Sequence, residues 1–353
     1  PREPDVPSGS RRFTRRLLAA TTLAITALVQ AQNLVPNPDF AERPGGGTDG
    51  WQLSGGNGRR QGAGVDPALR PAALSVEGNG RDSNLWRTEE IGLASGGLYR
   101  MSFARRRGAE ASGGTAFAGL GRVSRDFPLA ESAAEYEFIF AVPTYVRSDF
   151  VRLGQWEVKG VLEFARPTLT PVLARHATGP GGMELGEAES IRDGRYRFAP
   201  DLNWRGANYH RPLITSRAGF NSNRWLFSPG AEVVYRFQLA PVTQRQAWLR
   251  TSINHHTGGT LQIDASRDGA NWVRVADYDG ARRGGRVELP ATLFPAEQVF
   301  VRLAQPAAGA GFQVDTFEYE ATLSAMLPET EGATHFLELR ERSPRLAVGW
   351  DGL

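Results

Sequence analysis

The 353-residue chain has no cysteine. That excludes disulfides, cysteine-ligated zinc and thiol catalysis. Lysine is nearly absent. Lys159 stands alone, and every other basic side chain counted among the 41 Lys and Arg is arginine. A GC-rich coding sequence accounts for this more simply than an arginine-specific function. Long apolar runs are also missing, apart from residues 17–29. At about 13 residues that run is too short to cross a bilayer as a helix, so no membrane span is expected in the mature chain. Catalytic signatures are scarce as well. No serine nucleophile elbow occurs, and the glycine-rich GGGTDG and GPGG lack the lysine and following helix of a phosphate loop. His255 and His256 are adjacent, so on a strand they point to opposite faces and cannot chelate together.

What is present points outward and to strands. Residues 1–31 hold a basic start, the apolar run and a small-residue ending at Val29-Gln30-Ala31, the pattern of an export signal cut near Ala31. The expected location is secreted, periplasmic or cell-surface, by general or twin-arginine export. This segment carries five Arg against Glu3 and Asp5, which accounts for the whole formal charge of +3. The remainder is near neutral, with no basic excess to attract nucleic acid. Glycine and proline number 41 and 22, which favours many turns and short strands. In GLYRMSFARRR, Tyr99, Met101 and Phe103 share one face; in AEYEFIFAV, Tyr136, Phe138 and Phe140 do so. This period of two predicts antiparallel sheets with one buried face.

The phrase FVRLGQ at 150–155 returns as FVRLAQ at 300–305. At the same offset Val151 maps to Val301, Leu162 to Phe312, Phe164 to Val314, Ala165 to Asp315 and Leu169 to Tyr319. The expected fold is therefore all-β, two tandem antiparallel sandwiches of jelly-roll type. The first covers 33–175, 176–182 is a linker, and the second covers 183–324. Residues 325–353 read as the entry to a further, truncated domain, with THFLELR as a strand.

The opening NLVPNPDF…GW, the strand GLYRMSFARR and the close VRLGQWEVKGVLEFARPTL together resemble the cellulose- and xylan-binding type of carbohydrate-binding module, jelly rolls of the galactose-binding-like superfamily, over residues 33–170. The resemblance implies non-catalytic binding of a β-glycan. Family members often hold calcium between an acid after the opening Phe and one in the last strand. Ala41 and Ala165 stand at those places here, so no calcium is expected in the first module. In the second, Ser266, Asp268, Gly269 and Trp272 are similar to a hairpin of discoidin-like domains. GEAES resembles the start of another carbohydrate-binding family whose acids bind calcium. Glu187, Glu189 and Asp315 are the calcium candidates that this implies, with solvated surface acids as the competing reading.

Sugar rings stack on aromatic faces and need planar polar partners. Trp86 lies among polar neighbours, and Arg100 and Arg152 lie opposite their core-facing neighbours. Trp204, Asn208, Tyr209 and His210 crowd one polar stretch. These seven are the candidate ligand residues, although the last four equally suit a loop pinned by its own aromatics. The functional expectation is polysaccharide binding by an exported bacterial multi-domain protein, with no catalysis in these residues. A structural or adhesive surface protein, its sandwiches serving as spacers or binding protein partners, is the alternative. The glycan, the assembly state and any catalytic domain beyond Leu353 are not specified by these residues.

Overall fold

The computed structural model describes residues 33–338, except 43–47, 63–65, 131, 203–206 and 307–308. The expected export signal over residues 1–31, Trp204 and the last fifteen residues lie outside the described residues. Strands make up the architecture, and the only helical pieces described are three single 3-10 turns. The first module runs β1 (Trp51–Ser54), β2 (Asn57–Gln61), β3 (Ala73–Asn79), β4 (Ser83–Gly92), β5 (Leu98–Arg107), β6 (Thr115–Leu120), β7 (Val123–Phe127), β8 (Ala134–Ala141), β9 (Ser148–Trp156) and β10 (Lys159–Thr178). The second runs β11 (Glu184–Leu185), β12 (Glu189–Arg192), β13 (Arg195–Phe198), β14 (Leu213–Ser216), β15 (Gly219–Asn221), β16 (Arg224–Phe227), β17 (Ala231–Gln238), β18 (Gln244–His256), β19 (Leu261–Ser266), β20 (Val273–Tyr278), β21 (Gly284–Glu288), β22 (Gln298–Gln305) and β23 (Phe312–Leu323). Two short strands come last, β24 (Thr330–Glu331) and β25 (Thr334–Glu338).

Each module is a two-sheet sandwich, as the alternation predicts. In the first, β1-β4-β9-β6-β7 faces β2-β3-β10-β5-β8. In the second, β14-β17-β22-β19-β20 faces the sheet centred on β23 and β18. Between the layers lie close-packed aromatics. Phe103 meets Phe127 edge-on at 5.2 Å, and Tyr235 stacks on Phe317 at 4.6 Å. Each such ring contributes roughly 1.5–3 kcal/mol by leaving water.

The repeated phrase now has a physical reason. β9 lies between β4 and β6, and β22 lies between β17 and β19, so each copy is a central strand. Val151, Leu153, Val301 and Leu303 are all fully buried. The closing glutamine of each copy is buried too and ties down the crossover to the next strand. Gln155 Oε1 accepts from Val158 N at 2.7 Å, and Gln305 Nε2 donates to Ala310 O at 2.7 Å.

The modules are joined more closely than a linker over 176–182 implies. β10 continues to Thr178 and pairs with β11. β7 pairs in parallel with β15, Val123 opposite Phe220 and Ser124 opposite Asn221, so one sheet runs from the first module into the second. A single buried apolar cluster includes residues of both. Residues 330–338 fold back: β24 pairs with β12, and β25 adds an edge strand to β10 of the first module.

Candidate functional site

Where the shared sheet crosses the junction, its outer face holds a groove of about 370 Å³. Strand register builds it. On β9, Val151 and Leu153 point inward, which turns Arg152, Gly154 and Trp156 outward. Gly154 lies opposite Leu85 on β4 and Phe117 on β6. A methyl group there would come within 2.6 Å of Phe117 Cζ, so the missing side chain lets the ring lie flat in the floor. Trp156, opposite Ser83 and Thr115, stands at the rim and is 56 % exposed.

The polar wall comes from both modules. Ser124 and Asp126 alternate outward on β7 and line the groove. Asn221 and Arg224 close the two-residue turn between β15 and β16. Asn221 Nδ2 donates to Ser124 Oγ (3.2 Å) and Asp126 Oδ1 (3.3 Å), and Arg224 Nη2 pairs with Asp126 Oδ2 at 3.3 Å. Arg152 Nη2 donates to Ser124 Oγ at 2.8 Å, with its guanidinium 5.1 Å above the Phe117 ring. Burial pushes the Arg152 pKa down, opposed by the charges of Asp149 and Asp126. The buried Nε atoms of Arg152 and Arg224 have no hydrogen-bond partner among the described residues.

Of the sequence-predicted ligand residues that are described, only Arg152 reaches this groove; Trp204 lies outside the described residues. Trp86 is a correction: it is 8 % exposed and belongs to the core, where its indole N–H donates to Ser75 O at 2.9 Å. Its polar neighbours Asn84 and Thr88 share its inward face and are buried with it, which disguised the core stripe in the sequence. Arg100 lies on the opposite sheet and binds Glu338 of β25 at 2.6 Å. Tyr209 is likewise corrected to a core residue, 1 % exposed and packed on Phe220 and Trp225. Asn208 Nδ2 binds Asp201 Oδ1 at 2.6 Å. His210 lines a different depression, with His176, Arg211 and Arg236.

The proposed calcium acids are not gathered. No group of three His, Asp or Glu among the described residues is placed to hold a metal ion. Glu189 is buried, and its carboxylate accepts from both Arg211 Nε and Nη2, the Tyr196 hydroxyl and Gly186 N. Those donors leave it no free direction for a cation. Glu187 is exposed beside it, and Asp315 lies partly buried on β23.

Sequence reading missed Phe117, Ser124, Asp126, Trp156, Asn221 and Arg224. Trp156 was within reach, because it shares the parity of Arg152 along β9. Other depressions suit a sugar less well. One of about 680 Å³ on the second module is lined by arginines and acids, including Arg192–Glu331 and Arg195–Glu320 at 2.7 Å each, with no aromatic ring.

No family model matches the chain, and no curated protein does. Solved structures give weak likenesses. The tandem CBM22-1–CBM22-2 domain of Paenibacillus barcinonensis Xyn10C is 12 % identical over 83 % of this chain and 98 % of its own, with TM-score 0.34. A CBM4 structure is 13 % identical over 39 % and 99 %, with TM-score 0.28. Tailspike protein 4 of bacteriophage CBA120 is 11 % identical over 39 % of this chain, which spans 21 % of the tailspike chain, with TM-score 0.32. Likeness this weak carries no functional weight.

Proposed function

We propose that the chain is an exported, non-catalytic polysaccharide binder and that the groove at the module junction is its site. The observation that carries this is Trp156, an exposed indole at the rim of a trough floored by Phe117 and walled by planar polar groups. An exposed ring offers a stacking face to the C–H side of a pyranose, while Arg, Asn and Asp match its hydroxyls. Hydrolysis of a glycoside normally needs two facing carboxylates. Among the described residues lining this groove, Asp126 is the single acid, and Arg224 and Asn221 hold it. The leader over residues 1–31 supports export.

Affinity electrophoresis of the full chain through gels containing soluble polysaccharides tests the reading. At least one glycan is expected to retard the protein, and Trp156→Ala is expected to abolish retardation without moving the melting temperature. Free migration in every gel would instead favour a spacer or adhesive role, which the continuous sheet across the junction also suits.

A further inference from the structure

The two copies of the repeated phrase place an arginine at the same point, Arg152 on β9 and Arg302 on β22. Both are on the outer face of a central strand, and both guanidiniums lie over an aromatic ring, Phe117 at 5.1 Å and Trp272 at 4.4 Å. They differ in their counter-charge. Across from Arg302 on β19 is Asp264, whose carboxylate receives Arg302 Nε at 3.1 Å and Nη2 at 2.9 Å; Glu232 adds a further contact at 3.8 Å. Across from Arg152 on β6 is Gly119. There is no room for an acid, because a Cβ at Gly119 would meet Val123 O at 2.4 Å. Arg152 forms no ion pair within 4 Å among the described residues; its neutral partner is Ser124, and its Nε is buried without a partner. The second guanidinium in the groove, Arg224, shares the one carboxylate, Asp126.

We propose that the groove binds an anionic polysaccharide, and that a carboxylate or sulfate of the glycan occupies, beside Arg152, the position that Asp264 holds beside Arg302. This rests on the reading of the groove as a glycan site. Two guanidiniums face one lining acid. Asp149, the other carboxylate whose charge reaches Arg152, makes no ion pair with it and accepts from Arg122 N and Phe150 N, so the cation is under-compensated in a partly desolvated trough. A charge-assisted, bidentate contact to an anion satisfies both that charge and the free N–H. The chain without its leader is close to neutral overall, so the selectivity is local to this groove.

The test is affinity electrophoresis of the full chain at low and high salt. The gels contain polygalacturonate or alginate as carboxylate probes, carrageenan as the sulfate probe, and neutral xylan and β-glucan. Retardation by one of the anionic probes should exceed that by the neutral ones and should weaken with salt. Arg152→Gln should lower affinity for that probe about tenfold or more. Arg152→Lys should recover part of it, and Arg302→Gln should leave it unchanged. Melting curves check that each variant is folded. A neutral glycan bound as tightly as the anionic ones, unaffected by salt and by Arg152→Gln, would overturn the anionic proposal while leaving the groove reading in place. If Trp156→Ala and Arg152→Gln both leave retardation untouched, the groove reading fails, and this proposal with it.

Discussion

The buried Glu189–Arg211 pair supplies the sharpest test of how the second module is held. The Glu189 side chain is 1 % exposed and that of Arg211 13 %. Arg211 provides two of the carboxylate's four donors and all of its positive charge; the others are the Tyr196 hydroxyl and Gly186 N. Burial and the neighbouring Glu189 carboxylate raise the Tyr196 pKa, so its phenol stays protonated and remains a donor. Arg211→Met strips the charge and leaves the carboxylate buried with two neutral donors. Losing one partner of such a pair costs about 3–5 kcal/mol, which corresponds to a fall in melting temperature of about 10 °C for a unit of this size. Burial already pushes the Glu189 pKa up, with Arg211 opposing it. Without Arg211 the folded-state value rises further above the unfolded one. The protonated form then contributes stability that is full below the unfolded pKa and is lost as pH rises through the folded value. The deficit of the variant should therefore widen from acid to neutral pH. The double variant Glu189→Gln/Arg211→Met should recover most of it. Urea and thermal unfolding at several pH values read all three. A loss under about 1 kcal/mol that is flat with pH would show that the pair is not acting as a buried charge pair.

Burial lowers the His210 pKa to about 4 from the ordinary 6.5, with nearby His176 adding repulsion. A depressed histidine stabilises the fold above its unfolded pKa, so up to about 3 kcal/mol should be lost as pH falls from about 6.5 towards 4, a loss absent in His210→Asn. In the β19–β20 hairpin, Asp268 accepts from Asn271 N, Ala270 N, Asn271 Nδ2 and Ser266 Oγ, and its pKa falls well below the carboxylate range. Its contribution should be full at neutral pH and lost as pH drops below the ordinary carboxylate value; melting profiles of Asp268→Asn should lack that step. Trp86→Ala should cost about 3–5 kcal/mol, whereas Trp156→Ala should change unfolding by less than about 0.5 kcal/mol. Denaturant titration separates the two.

Alternation along strands made the sandwiches legible, because a buried face forces a period of two on the sequence. The 150-residue offset located β9 with β22 and β10 with β23 for the same reason: Val151 and Val301, or Leu169 and Tyr319, meet equivalent core demands. Site residues impose no such period. Trp86 and Trp156 both lie among polar neighbours in the sequence, yet parity on β4 and β9 sends one inward and the other out. Parity alone could have ranked Trp156 above Trp86, since Trp156 follows Arg152 by four residues on one strand. Asn221 and Arg224 were beyond reach. They enter the groove only because β15 pairs in parallel with β7, and that contact joins residues almost a hundred positions apart across a boundary expected to separate domains.

That pairing also explains why one module could keep an open groove while the other closed its counterpart. In the second module Asp264 and Glu232 on the strands flanking β22 counter the charge of Arg302 within a single sheet, Asp264 also pairing with Arg274. In the first, Gly119 removes the cross-strand acid beside Arg152. Of the two carboxylates whose charge reaches Arg152, Asp149 accepts from Arg122 N and Phe150 N, and Asp126 is drawn away by Arg224 and Asn221 of the neighbouring module. Separating the modules would therefore free Asp126 from Arg224 and leave it within electrostatic range of Arg152. The cationic character of the groove depends on the junction as much as on the arginine itself.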